Sequence, residues 1–133
     1  MNYIRELAEL LECGMQCFFH KKNKSIEYYP DMDEVMSDME SWQDIMRKIE
    51  EDFDNYVKVS KMDSIQSFRV MERFTDQIDS ILFREKAENI LSRPKPFWNF
   101  KNLIEQSEFR QAWFDFRLNE NMEWVKKQLD QGK

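Results

Sequence analysis

The stretch PFWNFKNLIEQSEFRQAWFDFR, residues 96–117, decides how this chain folds. Between Phe97 and Arg117 it holds two of the four tryptophans and five of the eleven phenylalanines. Pro96 suits the first position of a helix, where its missing N–H is no loss. Phe97, Phe100 and Ile104 then recur at helical spacing and form an inward stripe. Ser107 is placed to cap a second helix carrying Phe109, Trp113 and Phe116. At about 100° per residue, Trp124 falls on the side of those three rings, while Leu118, Met122, Val125 and Leu129 lie roughly opposite. No proline or glycine interrupts this run, which predicts one long helix with two packed faces. The rest of the chain is expected to pack around these two segments.

Upstream, Phe83, Ala87 and Ile90 carry a helix to about Ser92, with a turn or a new cap at Asp79-Ser80. Before it, Asp63 and Gln66 have capping-box spacing at the head of a helix striped by Phe68, Met71, Phe74 and Ile78. YVKVS, residues 56–60, alternates like a short strand. Residues 33–53 place Val35, Met39, Trp42, Met46, Ile49 and Phe53 three and four apart, a long amphipathic helix with an acidic outer face that Asp31 is placed to cap. MQCFFHKK and SIEYYP flank Asn23-Lys24, a hairpin signal in which Asn23 takes positive φ more readily than Lys24 and Pro30 ends the second strand. At the N-terminus, Ile4, Leu7, Ala8 and Leu11 mark a first helix, with Asn2 as its cap and Gly14 as its stop. The expected fold is one α+β domain over residues 1–133, a hairpin plus a short third strand packed against about five helices, with a helix-rich C-terminal half.

Composition narrows the function. No apolar run of about 18 residues occurs, so no membrane span is expected. The opening MNYIRELAELLE mixes charges into its apolar stripe, unlike a signal peptide. Two cysteines, Cys13 and Cys17, are too few for a secreted disulfide scaffold of this size, so a cytoplasmic protein with reduced thiols is expected. The net charge is −6. Residues 31–54 hold ten acids and two bases, a local −8, so the remaining residues sum to +2. The acidic helix over 33–53 is either a solvated face or a surface for a basic partner.

Most chemistries lack their parts. Zinc needs four ligands, or three and a water. Here Cys13, Cys17 and the single His20 have no second ligand pair, and in a strand Cys17 and Phe19 share a face while His20 points to the other. Structural cysteines and an exposed or edge histidine are expected. A nucleophile needs a base oriented by a third group, and phosphate cradles need glycines that this chain does not place suitably. Abundant carboxylates alone do not separate a catalytic pair from a solvated face. The expectation is a non-enzymatic chain with no cofactor and no metal.

Residues 84–101 hold Arg84, Lys86, Arg93, Lys95 and Lys101 against Glu85 and Glu88, a local +3, with Phe97, Trp98 and Phe100 interleaved. This pattern suits weak RNA or DNA binding, with bases stacked on rings and lysines on phosphates. The preferred reading is plainer, a core lined by Phe97 and Phe100 under solvated lysines.

Three groups of residues carry a resemblance: Met71, Glu72 and Phe74; then Phe97, Phe100 and Lys101; then Trp113, Phe114, Phe116 and Arg117, with Trp124 near the end. Their order resembles a family of bacterial proteins known only as uncharacterised protein family 0158. The resemblance covers most of the chain and implies the architecture above, but no activity. Relatives usually read "GAFRRF" where this chain has Lys95-Pro96-Phe97-Trp98-Asn99-Phe100, so a role carried by those arginines does not transfer.

Trp98 is the most informative residue. It sits about 100° from Phe97 and off the inward stripe. Either it packs sideways on the helix that begins at Phe83, or it stays exposed and marks a contact surface. The resemblance puts a basic residue at this position, which implies a site open to solvent. Lys95, Trp98 and Lys101 are therefore the candidate binding residues. Their expected partner is a protein or a second copy of the chain, with nucleic acid as the alternative.

Overall fold

The computed structural model describes residues 2–30 and 42–132. They form six α-helices and a three-stranded antiparallel sheet, an α+β architecture that is helix-rich in its C-terminal half. Two compact units are built: residues 1–61 with 121–133, and residues 62–120.

The first unit is organised on a sheet of order β2-β1-β3, made of β1 (Met15–His20), β2 (Ile26–Pro30) and β3 (Tyr56–Val59). Helix α1 (Tyr3–Glu12) buries Leu7, Ala8 and Leu11. Gly14, at φ 82°, ends it as its sequence position predicts. Asn2 does not cap it with its side chain. Only the Asn2 carbonyl serves, accepting from the Glu6 amide at 2.9 Å.

The central strand β1 is covered on both faces. Tyr3 of α1 meets Phe19 at 4.8 Å on one side. Helix α2 (Gln43–Glu51) reaches the other through Lys48, which donates to Glu27 at 2.6 Å, and through its C-cap Asp52. Cys17, Phe18, Phe19 and His20 are consequently all buried. The helix expected over 33–53 is thus present from Gln43, and its expected members Asp31, Val35 and Met39 lie outside the described residues. Phe53 leaves the helical stripe for a 3-10 turn, Phe53–Asn55, and is exposed.

The hairpin connection has five residues, 21–25, where the sequence suggested two, and Lys24 rather than Asn23 takes the left-handed conformation at φ 61°. The cause is His20. Its Nδ1 accepts from the amides of Lys22 (3.2 Å) and Asn23 (3.1 Å), which places the ring proton on Nε2, 2.7 Å from Asp52 Oδ2. The expected exposed or edge histidine is therefore a buried one, only 5 % exposed, because α2 covers the face onto which alternation turns it.

The second unit contains α3 (Ser64–Asp76), α4 (Ile81–Leu91), α5 (Pro96–Glu105) and the start of α6 (Arg110–Gln131). Asp63 and Gln66 form the expected capping box. Ser80 caps α4 by accepting from the Phe83 amide. The core gathers Val70, Met71, Phe74, Ile78, Ala87, Phe100, Ile104 and Trp113. Trp113 lies 5.2 Å from both Phe74 and Phe100, edge-on to each. Phe109 and Phe116, expected in the core, are half-buried against Phe83 and Phe74. Arg117 lies over the rings of Trp113 and Phe114, so that aromatic–arginine motif has a packing role.

Helix α6 is the single long helix anticipated. Its residues from Asn121 belong to the first unit, where Val125 and Leu129 are buried. There Trp124 Nε1 and Gln128 Nε2 both donate to the Ser60 carbonyl at 2.8 Å, while Gln128 accepts from the Ser60 amide.

Two outcomes follow. Trp113→Ala should cost about 3–5 kcal/mol, the range for deleting a buried aromatic, read as a fall in the denaturant midpoint. The second concerns Asp52, whose carboxyl is held below its ordinary value of 3.8 by the His20 hydrogen bond and then by that from Asn55. Such a depressed carboxylate stabilises the fold fully above its unfolded value, and that stabilisation disappears as pH falls through the folded one. The stability gap between wild type and Asp52→Asn should therefore narrow on acidification. Parallel stability–pH curves would contradict this.

Candidate binding surface

Helix α5 is ten residues long and turns one face inward. Phe100 and Ile104 are wholly buried on it. Trp98, two residues before Phe100, is rotated by about 200° from it and so projects to the opposite side. It is 65 % exposed, which selects the second of its two possible fates. Lys101 lies three residues after Trp98 and four after Phe97, so it occupies the helix surface between those rings. Phe97, expected on the inward stripe, is 44 % exposed, with its ring edge-to-face with Phe68 at 6.4 Å. At about 60° from Phe100 it sits at the stripe's margin, where burial depends on the neighbouring helix and not on the period.

Lys95 precedes Pro96 as the N-cap and adopts the left-handed conformation at φ 57°. No side chain caps this helix end. Asn99 turns back to donate to the Pro94 carbonyl at 3.2 Å and fixes the turn. The three predicted residues are thus brought together on the first two turns of one helix, with Lys95 and Lys101 exposed on either side of Trp98. The same unit exposes Ile65, Ile81 and Leu82, the last at 82 %. Sequence reading missed these because they occupy first turns, where helical period does not decide burial. The basic character of 84–101 is reduced by the Arg84–Glu88 pair at 3.8 Å, while Lys86 and Arg93 are exposed.

Among the described residues no group of three or more His, Cys, Asp or Glu is placed to hold a metal ion. Also among them, no helix is long and apolar enough to cross a membrane. Cys17 is buried and its thiol is pushed up to about 12 by desolvation, whereas Cys13 is exposed. The thiolate is the nucleophilic form. Iodoacetamide should therefore alkylate Cys13 in the native protein and reach Cys17 only after denaturation. Equal native labelling of both, read by peptide mass spectrometry, would contradict the burial.

The chain matches the family model described as "Uncharacterised protein family (UPF0158)" over residues 3–132. No curated protein and no solved structure matches it. The ordered residues Met71 to Phe74, Phe97 to Lys101 and Trp113 to Arg117 that carry the resemblance have the structural settings given above. With the match running over nearly its whole length, this chain belongs to the Uncharacterised protein family (UPF0158).

Proposed function

We propose that this chain is a small non-enzymatic module that binds another protein through the outward face of α5. The observation that carries the reading is the exposure of Trp98 at 65 % on a helix whose other face is fully packed. A tryptophan can bury about 150–250 Å² when it is covered, and such rings are enriched at the centres of protein interfaces. The backbone that carries the ring is fixed by the packed face of α5 before any partner arrives, so little backbone ordering entropy is lost on docking. Lys95 and Lys101 beside it favour a partner whose apolar pocket is rimmed by carboxylates. The net charge of −6 opposes the approach of a polyanion, and the Arg84–Glu88 pair removes one cation from the face that nucleic acid would use. Protein is therefore preferred over RNA or DNA as the ligand.

The test compares wild type with Trp98→Ala. The substitution should leave the denaturant midpoint within about 0.5 kcal/mol, as for a surface site. It should also abolish self-association in sedimentation velocity, or the recovery of a defined partner from the native host. A loss of several kcal/mol with association intact would make Trp98 a core residue and remove the reading. Titration with a labelled RNA and DNA pool at about 50 mM salt separates the alternative. Binding that collapses with added salt and with Lys95→Ala/Lys101→Ala would replace protein by nucleic acid as the ligand.

A further inference from the structure

We propose that the sheet-bearing unit carries a second site, for a small amphipathic anion with an aromatic or aliphatic body ending in one carboxylate or phosphate. A cleft of about 420 Å³ opens between α1, the hairpin loop, β3 and the end of α6. That volume is within the range of small-molecule sites. Its lining is apolar: the half-buried Tyr3 and Val57 reach its surface, backed by the buried Phe19, whose ring lies 4.8 Å from that of Tyr3, and by the buried Leu129. Gly132 closes one end so tightly that a Cβ there would meet Val57 Cγ1 at 2.7 Å.

Three lysines line this cleft, Lys21, Lys24 and Lys126, against one carboxylate, Asp130. The Lys24 ammonium lies 5.8 Å from the Phe19 ring centroid. A ligand lying against Tyr3 and Val57 would thus bring its anionic end towards Lys24. Lysines supply compact point charges and no planar fork, which suits a single carboxylate or phosphate head.

The loop that presents Lys21 and Lys24 is built and held. Lys21 donates through its amide to the Asn55 carbonyl at 2.8 Å, and Lys24 through its amide to the His20 carbonyl at 2.9 Å. His20 Nδ1 takes the amides of Lys22 and Asn23 between them. Lys24 adopts the left-handed region at φ 61°, where glycine is the unstrained residue. Backbone strain of this kind gathers at ligand sites. A glycine at this position would relieve the backbone and delete the charge over Phe19.

The probe is anilinonaphthalene sulfonate, an aromatic body with one fixed anion, compared with its uncharged relative phenyl naphthylamine. The full chain should bind the sulfonate saturably, with enhanced emission and with amide NMR shifts at Phe19, Val57 and Leu129. Lys21→Ala/Lys24→Ala/Lys126→Ala should weaken it by about tenfold or more, and the neutral dye should bind wild type weaker by a similar factor. Lys24→Gly should also bind more weakly, with a thermal midpoint no lower than wild type, which separates charge from folding. Trp98→Ala should bind as wild type, so failure here is independent of the α5 reading. Decanoate and phenyl phosphate should displace the dye where acetate and inorganic phosphate at equal concentration do not, and the stronger of the two identifies the head group. Equal binding of the neutral dye, an unaffected triple variant, shifts confined to other residues, or displacement by inorganic phosphate alone would each overturn the proposal.

Discussion

In the ten-residue helix α5 one face is buried, and that face is taken by Phe100 and Ile104. Phe100 is fixed in turn by Trp113, which has Phe74 on its other edge. Once those rings are packed, rotation about the helix axis is no longer free, and a residue two places before Phe100 must point away from the core. The exposure of Trp98 is therefore a consequence of the core. This distinguishes it from an apolar side chain left loose on a loop, whose position is reset on every encounter. Interiors packed at crystal density transmit position in this way, because a small displacement of one ring is resisted by all its neighbours.

The sheet-bearing unit rests on a different constraint. Its central strand has both faces covered, so alternation gives it no solvent side. A polar ring at His20 must then satisfy its hydrogen bonds internally or cost the fold a buried unpaired group. It does so completely, with Asp52 on Nε2 and two loop amides on Nδ1. The edge of the Tyr56 ring adds an apolar contact at 4.9 Å. A satisfied buried polar group rigidifies what it touches, and here it touches the loop that contains three lysines within four residues. The single histidine of the chain thus has a structural role that its chemistry alone would not suggest.

The features legible in the sequence are those encoded within three or four residues. The Asp63–Gln66 capping box, Pro96 at the first helical position, Gly14 with positive φ and the alternation of Tyr56–Val59 depend on local geometry alone, and each is present. What failed depends on what lies against the residue from elsewhere in the chain. The sequence points to an exposed or edge His20, because one strand reveals its two faces but not whether both are covered. Spacing points Phe97 to the core because its angle is close to that of Phe100, yet the margin of a stripe is buried only if a neighbour extends far enough. The hairpin loop was read as two residues because the imidazole that organises five of them acts through space. At the candidate surface, Trp98 was placed off the stripe by angle alone, while the choice between exposure and sideways packing required the position of α4.

Among the described residues two non-glycine residues occupy the left-handed region, Lys24 and Lys95. A residue with a Cβ gives up about 1–2 kcal/mol there relative to ordinary helical backbone, and glycine would avoid that cost. Each lysine also puts a cation near aromatic residues, Lys24 beside the buried Phe19 ring at 5.8 Å and Lys95 at the head of the helix that displays Trp98. A glycine would fit either backbone better and carry no charge. Gly14 has the same conformation at a helix end, and there the chain has the residue that the backbone prefers. Backbone preference and residue identity therefore agree where only a turn is needed. They part at Lys24 and Lys95, which keep a positive charge where glycine would fit the backbone, and each belongs to one of the two proposed surfaces.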